Sequence, residues 1–506
     1  MTLQANNPVA PLAQQEIQDV PLKIVGGSNF GRYSKISAEK TFNMIVSDGF
    51  LVPYSGYEAV GFTNFGTGRG IHATEVGSFM LGVIGNKAIR FDFNGVDFTG
   101  STVGTLLTTT GDVYITENNN KQMVITDGAK LYVYNYNDGS FKVSTTDFTF
   151  PFSNPGYCSF QNGRVIVALL QSQEWALSGF NDALIWLDDA QHVGQIQTKP
   201  GYIQAAVPLP GGGNNLLIFG INVSESWQDL GLATFPYQRN SSFNIDYGVT
   251  NASSIDDLDN FIVWISTNET SGPTVMVTSG NGAPEPISTD GIDFQLAALT
   301  NPSNVTGFLF RQDGHLIYQF TFPDDNVTFA YDFETKLFFN ITDYDLSYHP
   351  AREVVFFNNS YYFLSLKDGN LYLFDTTITN MSLSPLGVVH EIPRIRITPP
   401  LRLPSQRQFI ARSVGFIMEN GQLNPVPRVN DSGGVELIYA RVDLSASYDG
   451  GESFGSNYGI EMNLSGNRKS RMIWQGIGIV NDATFQFRFY GLKRFVVGDG
   501  VAEVYQ

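Results

Sequence analysis

Apolar and polar residues alternate in short runs along most of the chain, and tight-turn residues separate the runs. Leu131, Val133 and Asn135 alternate with Tyr132, Tyr134 and Tyr136 before the corner Asn137-Asp138-Gly139. Leu316–Phe322 reads LIYQFTF, turns at Pro323-Asp324-Asp325-Asn326, and returns as Val327–Tyr331. Tyr361–Leu366 reads YYFLSL, turns at Lys367-Asp368-Gly369-Asn370, and returns as Leu371–Phe374. Alternation of period two, closed by Asp-Gly and similar corners, predicts β-hairpins. No long segment repeats its apolar residues at the helical period, so helices are predicted to be few and short. The expected fold class is all-β.

The hairpin units recur irregularly, at spacings of about 40–55 residues, which is the length of a propeller blade. Candidate blade cores fall near 72–92, 111–135, 163–188, 214–228, 260–288, 307–341 and 354–375. They predict a distorted β-propeller of about six to eight blades over residues 41–390, with a string of sandwiches as the alternative. Residues 391–408, EIPRIRITPPLRLPSQRQ, carry Pro393, Pro399, Pro400 and Pro404. Proline disfavours both helix and central strand, so this stretch is expected to be a Pro/Arg-rich linker. Alternation resumes over 409–506, enough for a small C-terminal β-sandwich-like domain. The first 30 residues are rich in Gln, Asn and Pro, and 1–40 is expected to form an extended N-terminal arm.

Composition agrees with this layout. The 506 residues include 39 Phe, 23 Tyr and 51 Gly, and 42% are hydrophobic. That is ample for a large core of pleated sheets joined by tight turns. The net charge of −18 argues against a grip on DNA through phosphates, which needs clustered Lys and Arg. It suits solubility, or a lumen that repels DNA and lets it slide. The charge is divided unevenly: residues 1–390 sum to −20 and residues 391–506 to +2. Cys158 is the only cysteine, so no intramolecular disulfide is available. The N-terminal sequence has neither a basic nor an apolar leader region, and no apolar run approaches the length of a membrane span. The Asn-x-Ser/Thr sequons, as at Asn222, Asn304, Asn326 and Asn463, are then read as accidents of β-rich sequence.

The candidate chemistry is sparse. Ser447, Asp449, Gly451 and Phe454 fit S-x-D-x-G-x-[ST]-[WF], the Asp-box, in which the carboxylate bonds turn amides and the aromatic packs beneath. Such boxes decorate sialidase propellers and raise a glycan-binding or glycan-hydrolysing alternative, but the box itself is a structural turn. A sialidase-type site needs an arginine cluster, and arginine is scarce before 391. The acidic runs Asp256-Asp257-Leu258-Asp259 and Asp324-Asp325 fall in predicted turns, where solvated loops are expected. His72, His192, His315, His349 and His390 show no metal-ligand spacing. Gly211-Gly212-Gly213 lacks the G-K-[ST] of a phosphate loop. No catalytic, cofactor or metal residues are assigned. Arg394, Arg396, Arg402, Arg468, Lys469, Arg471 and Trp474 form a candidate interface, because Arg and Trp concentrate binding energy where proteins meet. A solvated face and DNA contact are the alternatives.

The run LSASYDGGESFGSNYG (Leu444–Gly459), then RKSRMIWQGIG (Arg468–Gly478) and FQFRFYG (Phe485–Gly491), resembles the end of the tail hub proteins of short-tailed bacteriophages. These are also called nozzle, tail accessory or packaged-DNA stabilisation proteins. Near the start, Gly49-Phe50-Leu51 through Gly56, then Arg69-Gly70, is similar to the family's opening signature, and Asn214–Gly231 resembles one of its strands. The resemblance implies a distorted propeller with a small β-domain and a homohexameric ring of non-enzymatic virion subunits. That ring would extend the portal channel below the portal and adaptor proteins and retain packaged DNA, which passes through the lumen without sequence-specific binding. It would also dock tail fibre, spike or needle proteins. It implies no cofactor and no membrane insertion, and a place in the virion tail after assembly in the host cytoplasm. A trimeric receptor-binding fibre is disfavoured, since the periodicity of a β-helix or coiled coil is not seen.

Overall fold

The computed structural model describes residues 17–33, 38–61, 65–210, 213–279, 283–378, 380–382, 389–420, 426–429, 434–438, 440–462, 469–491 and 494–505. Among them, hairpin sheets follow one another around a ring as seven blades, at 68–105, 114–143, 155–195, 203–245, 256–286, 306–340 and 351–375. Each overlaps one of the seven expected cores. The corners are as the turn residues dictate: Gly139, Asn326 and Gly369 all adopt positive φ, at 73°, 55° and 67°. A Cβ on Gly369 would stand 2.0 Å from the Gly66 carbonyl oxygen, so only glycine fits that corner. Between blades, strands are covered on both faces. His315–Phe322 is buried at every position, which is why its apolar run is nearly continuous. One α-helix, Asp290–Ala297, and one short 3₁₀ turn, Ala252–Ser254, are the helical elements among the described residues.

The ring closes with a strand from the other end of the chain. Gly56–Gly61 pairs antiparallel with Leu371–Asp375 and supplies the fourth strand of blade seven, with Tyr57 opposite Phe374. Neighbouring blades interlock through shared apolar clusters, for example Phe219 of blade four against Trp264 of blade five, ring centroids 5.2 Å apart.

The structure departs from the expected linker. Arg394–Ile397 is a central strand of a nine-stranded sheet, between Lys40–Phe42 and Thr484–Tyr490. Pro393 precedes this strand and Pro399 follows it, so the four ladder residues themselves contain no proline. The sheet starts as blade six, passes through Lys40–Phe42 and Arg394–Ile397, and ends as one layer of the sandwich with Arg441–Ser447 and Tyr458–Glu461.

The second sandwich layer has six strands. It is built from Phe409–Asn420, Lys469–Val480 and Phe495–Tyr505, together with Met44–Ser47, Phe50–Pro53 and Ile17–Leu22. The expected arm, where described, is therefore structural: Ile17–Leu22 runs antiparallel along Phe495–Tyr505, and Leu22 is buried. Residues 1–16 and 34–37 of that arm lie outside the described residues. One apolar cluster joins Leu22, Ile45, Phe310, Phe374, Phe416 and Phe487, so propeller and sandwich share a core.

Candidate functional sites on the propeller axis and the sandwich

The first strands of the blades converge on the propeller axis, and polar side chains fill it. The Arg352 guanidinium donates to Asp112 Oδ1 at 2.7 Å and to Ser253 Oγ at 3.1 Å. Tyr114 reaches the same hydroxyl at 3.1 Å, and Asn251 donates to Asp112 Oδ2 at 3.3 Å. Glu353 accepts the Ile71 amide at 2.6 Å, and Asp256 accepts the Leu309 amide at 2.6 Å. A cavity of about 130 Å³ lies among them, and a wider pocket of about 730 Å³ adjoins it at Ile115, Tyr157 and Cys158.

The electrostatics follow from burial. Burial pushes the Asp112 carboxyl upward, but Arg352, Asn251 and Ser253 outweigh it and hold the group below its ordinary range. Burial and then Asp257 push Asp256 well above the carboxylate range. Burial also raises Glu353, against the pull of Arg352, and takes Asp257 to about 6. By sequence, Asp256 and Asp257 are expected in a solvated turn. Asp257 does keep contact with solvent, but Asp256 turns toward the axis. Asp112 lies some 240 residues before the adjacent pair Arg352-Glu353 and meets it only by ring closure, so the sequence does not show the group. The one available signal was Arg352-Glu353 opening an apolar strand in an arginine-poor region.

Ser447, Asp449 and Gly451 come together in one turn. Ser447 Oγ donates to Asp449 Oδ1 at 2.6 Å and accepts the Gly451 amide at 2.9 Å. Asp449 accepts the amides of Glu452 and Ser453, both at 3.0 Å. The Ser447 and Ser453 hydroxyls and these amides hold its carboxyl far below the usual range. Gly451 sits at φ +90°, where a Cβ would stand 2.4 Å from that of Ala38. Phe454 packs on Ala38, Ile395 and Ile397, so the turn clamps the start of the propeller to the sandwich.

The candidate interface divides. Arg394 and Arg396 are buried in their central strand and are not surface groups in this chain. Burial pulls the Arg394 guanidinium down to about 10 against the attraction of Glu391. Arg396 donates to the Gly27 carbonyl and the Thr41 hydroxyl, both at 2.9 Å, and to Glu39 at 2.5 Å. Trp474 is also core. Its indole donates to the Tyr458 carbonyl at 2.7 Å, and its ring lies 5.5 Å from Phe487. The period of two explains this: Met472 and Trp474 point inward, whereas Lys469 and Arg471 point out. Arg402 is half-exposed and bonds Asp482 through two nitrogens, at 2.8 and 2.5 Å. Arg468 lies outside the described residues.

Arg69 of the Arg69-Gly70 pair acts as a buried clamp. It donates to the carbonyls of Gly85, Thr108, Thr110 and Gly111 at 2.7–2.9 Å, tying blade one to the start of blade two. The histidines serve separately: His315 bonds Asp332 and Ser47, and His192 bonds Asp189. No group of three His, Cys, Asp or Glu suited to a metal ion occurs among the described residues. No helix among them is long and apolar enough to cross a membrane.

A plugged propeller fused through a common core to a sandwich, with its polar residues used as internal clamps, defines a structural β-protein. Residues 38–379 match the family described as bacteriophage P22 Gp10, beta-propeller, and residues 406–504 match bacteriophage P22 Gp10, beta-sandwich. The chain belongs to this family of structural phage tail proteins, which stabilise the tail as its nozzle. No curated protein sequence matches it. Among solved structures it is similar to the WD40 propeller domain of Doa1, at 12% identity and TM-score 0.42, over 63% of this chain and 97% of that one. It is also similar to virginiamycin B lyase from Staphylococcus aureus, at 11% identity and TM-score 0.45, over 63% and 99%. The glycan-binding alternative has no specific support among these likenesses.

Proposed function

We propose that the chain is the repeating subunit of a homohexameric ring that continues the portal channel of a phage tail. In this reading the ring meets portal and adaptor proteins above and tail fibre, spike or needle proteins below, and it holds packaged DNA until ejection. It assembles in the host cytoplasm, does no bond chemistry and needs no cofactor. One observation supports this most. The propeller axis is bridged by Arg352, bonded to Asp112 on one side and Ser253 on the other, so no duplex passes through a single copy. A DNA channel has to be enclosed between copies. A net charge of −18 favours a lumen wall that DNA slides past over one that grips it.

The test is to make phage particles without this chain and measure the DNA they retain after packaging. The reading predicts filled heads that leak their genome, and retention restored when the purified protein is added back. Particles that keep their DNA unchanged without it would contradict the reading.

A further inference from the structure

Beyond the Arg352 bridge the propeller axis is hollow, and several groups that line the hollow are left without partners. Two cavities meet there. The smaller, about 130 Å³, lies among the starts of the blades' first strands, at Tyr114, Thr306 and Arg352. The wider, about 730 Å³, lies further along such strands, at Glu117, Phe160 and Pro208. Ile115, Tyr157 and Cys158 belong to both. Clefts of about 300–1,000 Å³ are the ones that take small organic ligands.

At the inner end, Arg352 is 7% exposed and donates through Nη2 alone. Its Nε and Nη1 have no hydrogen-bond partner among the described residues. Thr306 is 4% exposed, and its hydroxyl has none either. The Tyr157 hydroxyl at the junction and the Asp257 carboxyl in the wider pocket also lack hydrogen-bond partners among the described residues. A buried polar group without a partner is costly unless water or a ligand meets it.

The charges along the walls decide the class of ligand. Carboxylates outnumber cations by five to two: Glu75, Glu117, Asp256, Asp257 and Glu353 against Lys121 and Arg352. That excess repels an anion, while the Arg352 guanidinium repels a cation at the inner end. A ligand that reaches from Asp257 to Arg352 has to donate at one end and accept at the other without net charge, and hydroxyl groups do both. The rings of Tyr114 and Tyr157, 5.1 Å apart, offer apolar walls to its C–H groups. We propose that the axial pocket binds one sugar ring of a neutral saccharide, whose hydroxyls accept from Arg352 and donate to Asp257 while its C–H face lies against Tyr157. The site is complete within one copy and does not depend on the ring reading above.

The test is isothermal titration calorimetry of the full chain with glucose, galactose, mannose and N-acetylglucosamine, and with spermidine and acetate as charged probes. At least one sugar is expected to bind saturably, and more tightly than either charged probe. Asp257→Ala and Tyr157→Phe leave the Arg352 bridge untouched, and each weakens that sugar by about tenfold. A crystal of the unaltered chain soaked in the same sugar places its ring between Asp257 and Arg352, whether or not the variants fold. The proposal is overturned if no sugar saturates, if spermidine or acetate binds more tightly than every sugar, if both variants bind as the unaltered chain does, or if the crystal seats the sugar elsewhere.

Discussion

His349 shows how one buried residue ties stability to pH. It lies where blades six and seven meet the sandwich core, accepting from Gln319 Nε2 at 3.0 Å and the Ala351 amide at 3.2 Å. The rings of Tyr57, Phe363 and Phe374 surround it at 5.0, 5.8 and 5.7 Å. Burial, and then the Lys367 ammonium, lower it from its ordinary 6.5 to about 3. A histidine held neutral in the fold but free to charge when unfolded stabilises the unfolded state as pH falls below 6.5. That loss continues until the folded group itself protonates near 3, at about 1.4 kcal/mol per pH unit. Urea unfolding at pH 6.5 and pH 5 is expected to show the unaltered chain losing about 1.5 kcal/mol more than His349→Gln. Equal losses in the two proteins would show that His349 charges freely in the fold. Its burial was not legible in sequence, because a lone histidine between Tyr348 and Pro350 reads equally as surface or core. The Asp449 turn was legible, because its spacing of Ser, Asp, Gly and Phe encodes contacts made within eight residues.

At the scale of elements, each hairpin is local, and the sequence shows it in its alternation and its Asp-Gly corners. The strands that close the molecule are not local. Gly56–Gly61 completes a blade whose other strands lie about 300 residues on, and Ile17–Leu22 joins the C-terminal strand at Tyr505. Neither has a partner nearby to betray its register. Arg394–Ile397 misleads for a related reason: prolines on both sides hide four ladder residues whose neighbours come from positions 40–42 and 484–490. Removing residues 1–22 is expected to cost about 3–5 kcal/mol, through lost burial at Leu22 and Val20 and through an uncovered sheet edge. Chemical denaturation with tryptophan fluorescence measures it. Trp474, inside the sandwich, should report an earlier transition, while Trp175 and Trp264 of the propeller shift less.

At the scale of the whole molecule, the propeller and sandwich are joined by a shared core and a nine-stranded sheet. Such a subunit suits a rigid wall. Its axis is closed from within by Arg352, Asp112, Ser253 and Tyr114, so in the proposed ring the channel would lie between copies. The measurement that tests this most directly is an image of the purified assembly by electron microscopy. The account predicts six copies around a lumen wide enough for duplex DNA, with every propeller axis closed. A lone copy, or density for DNA threading a propeller, would contradict it.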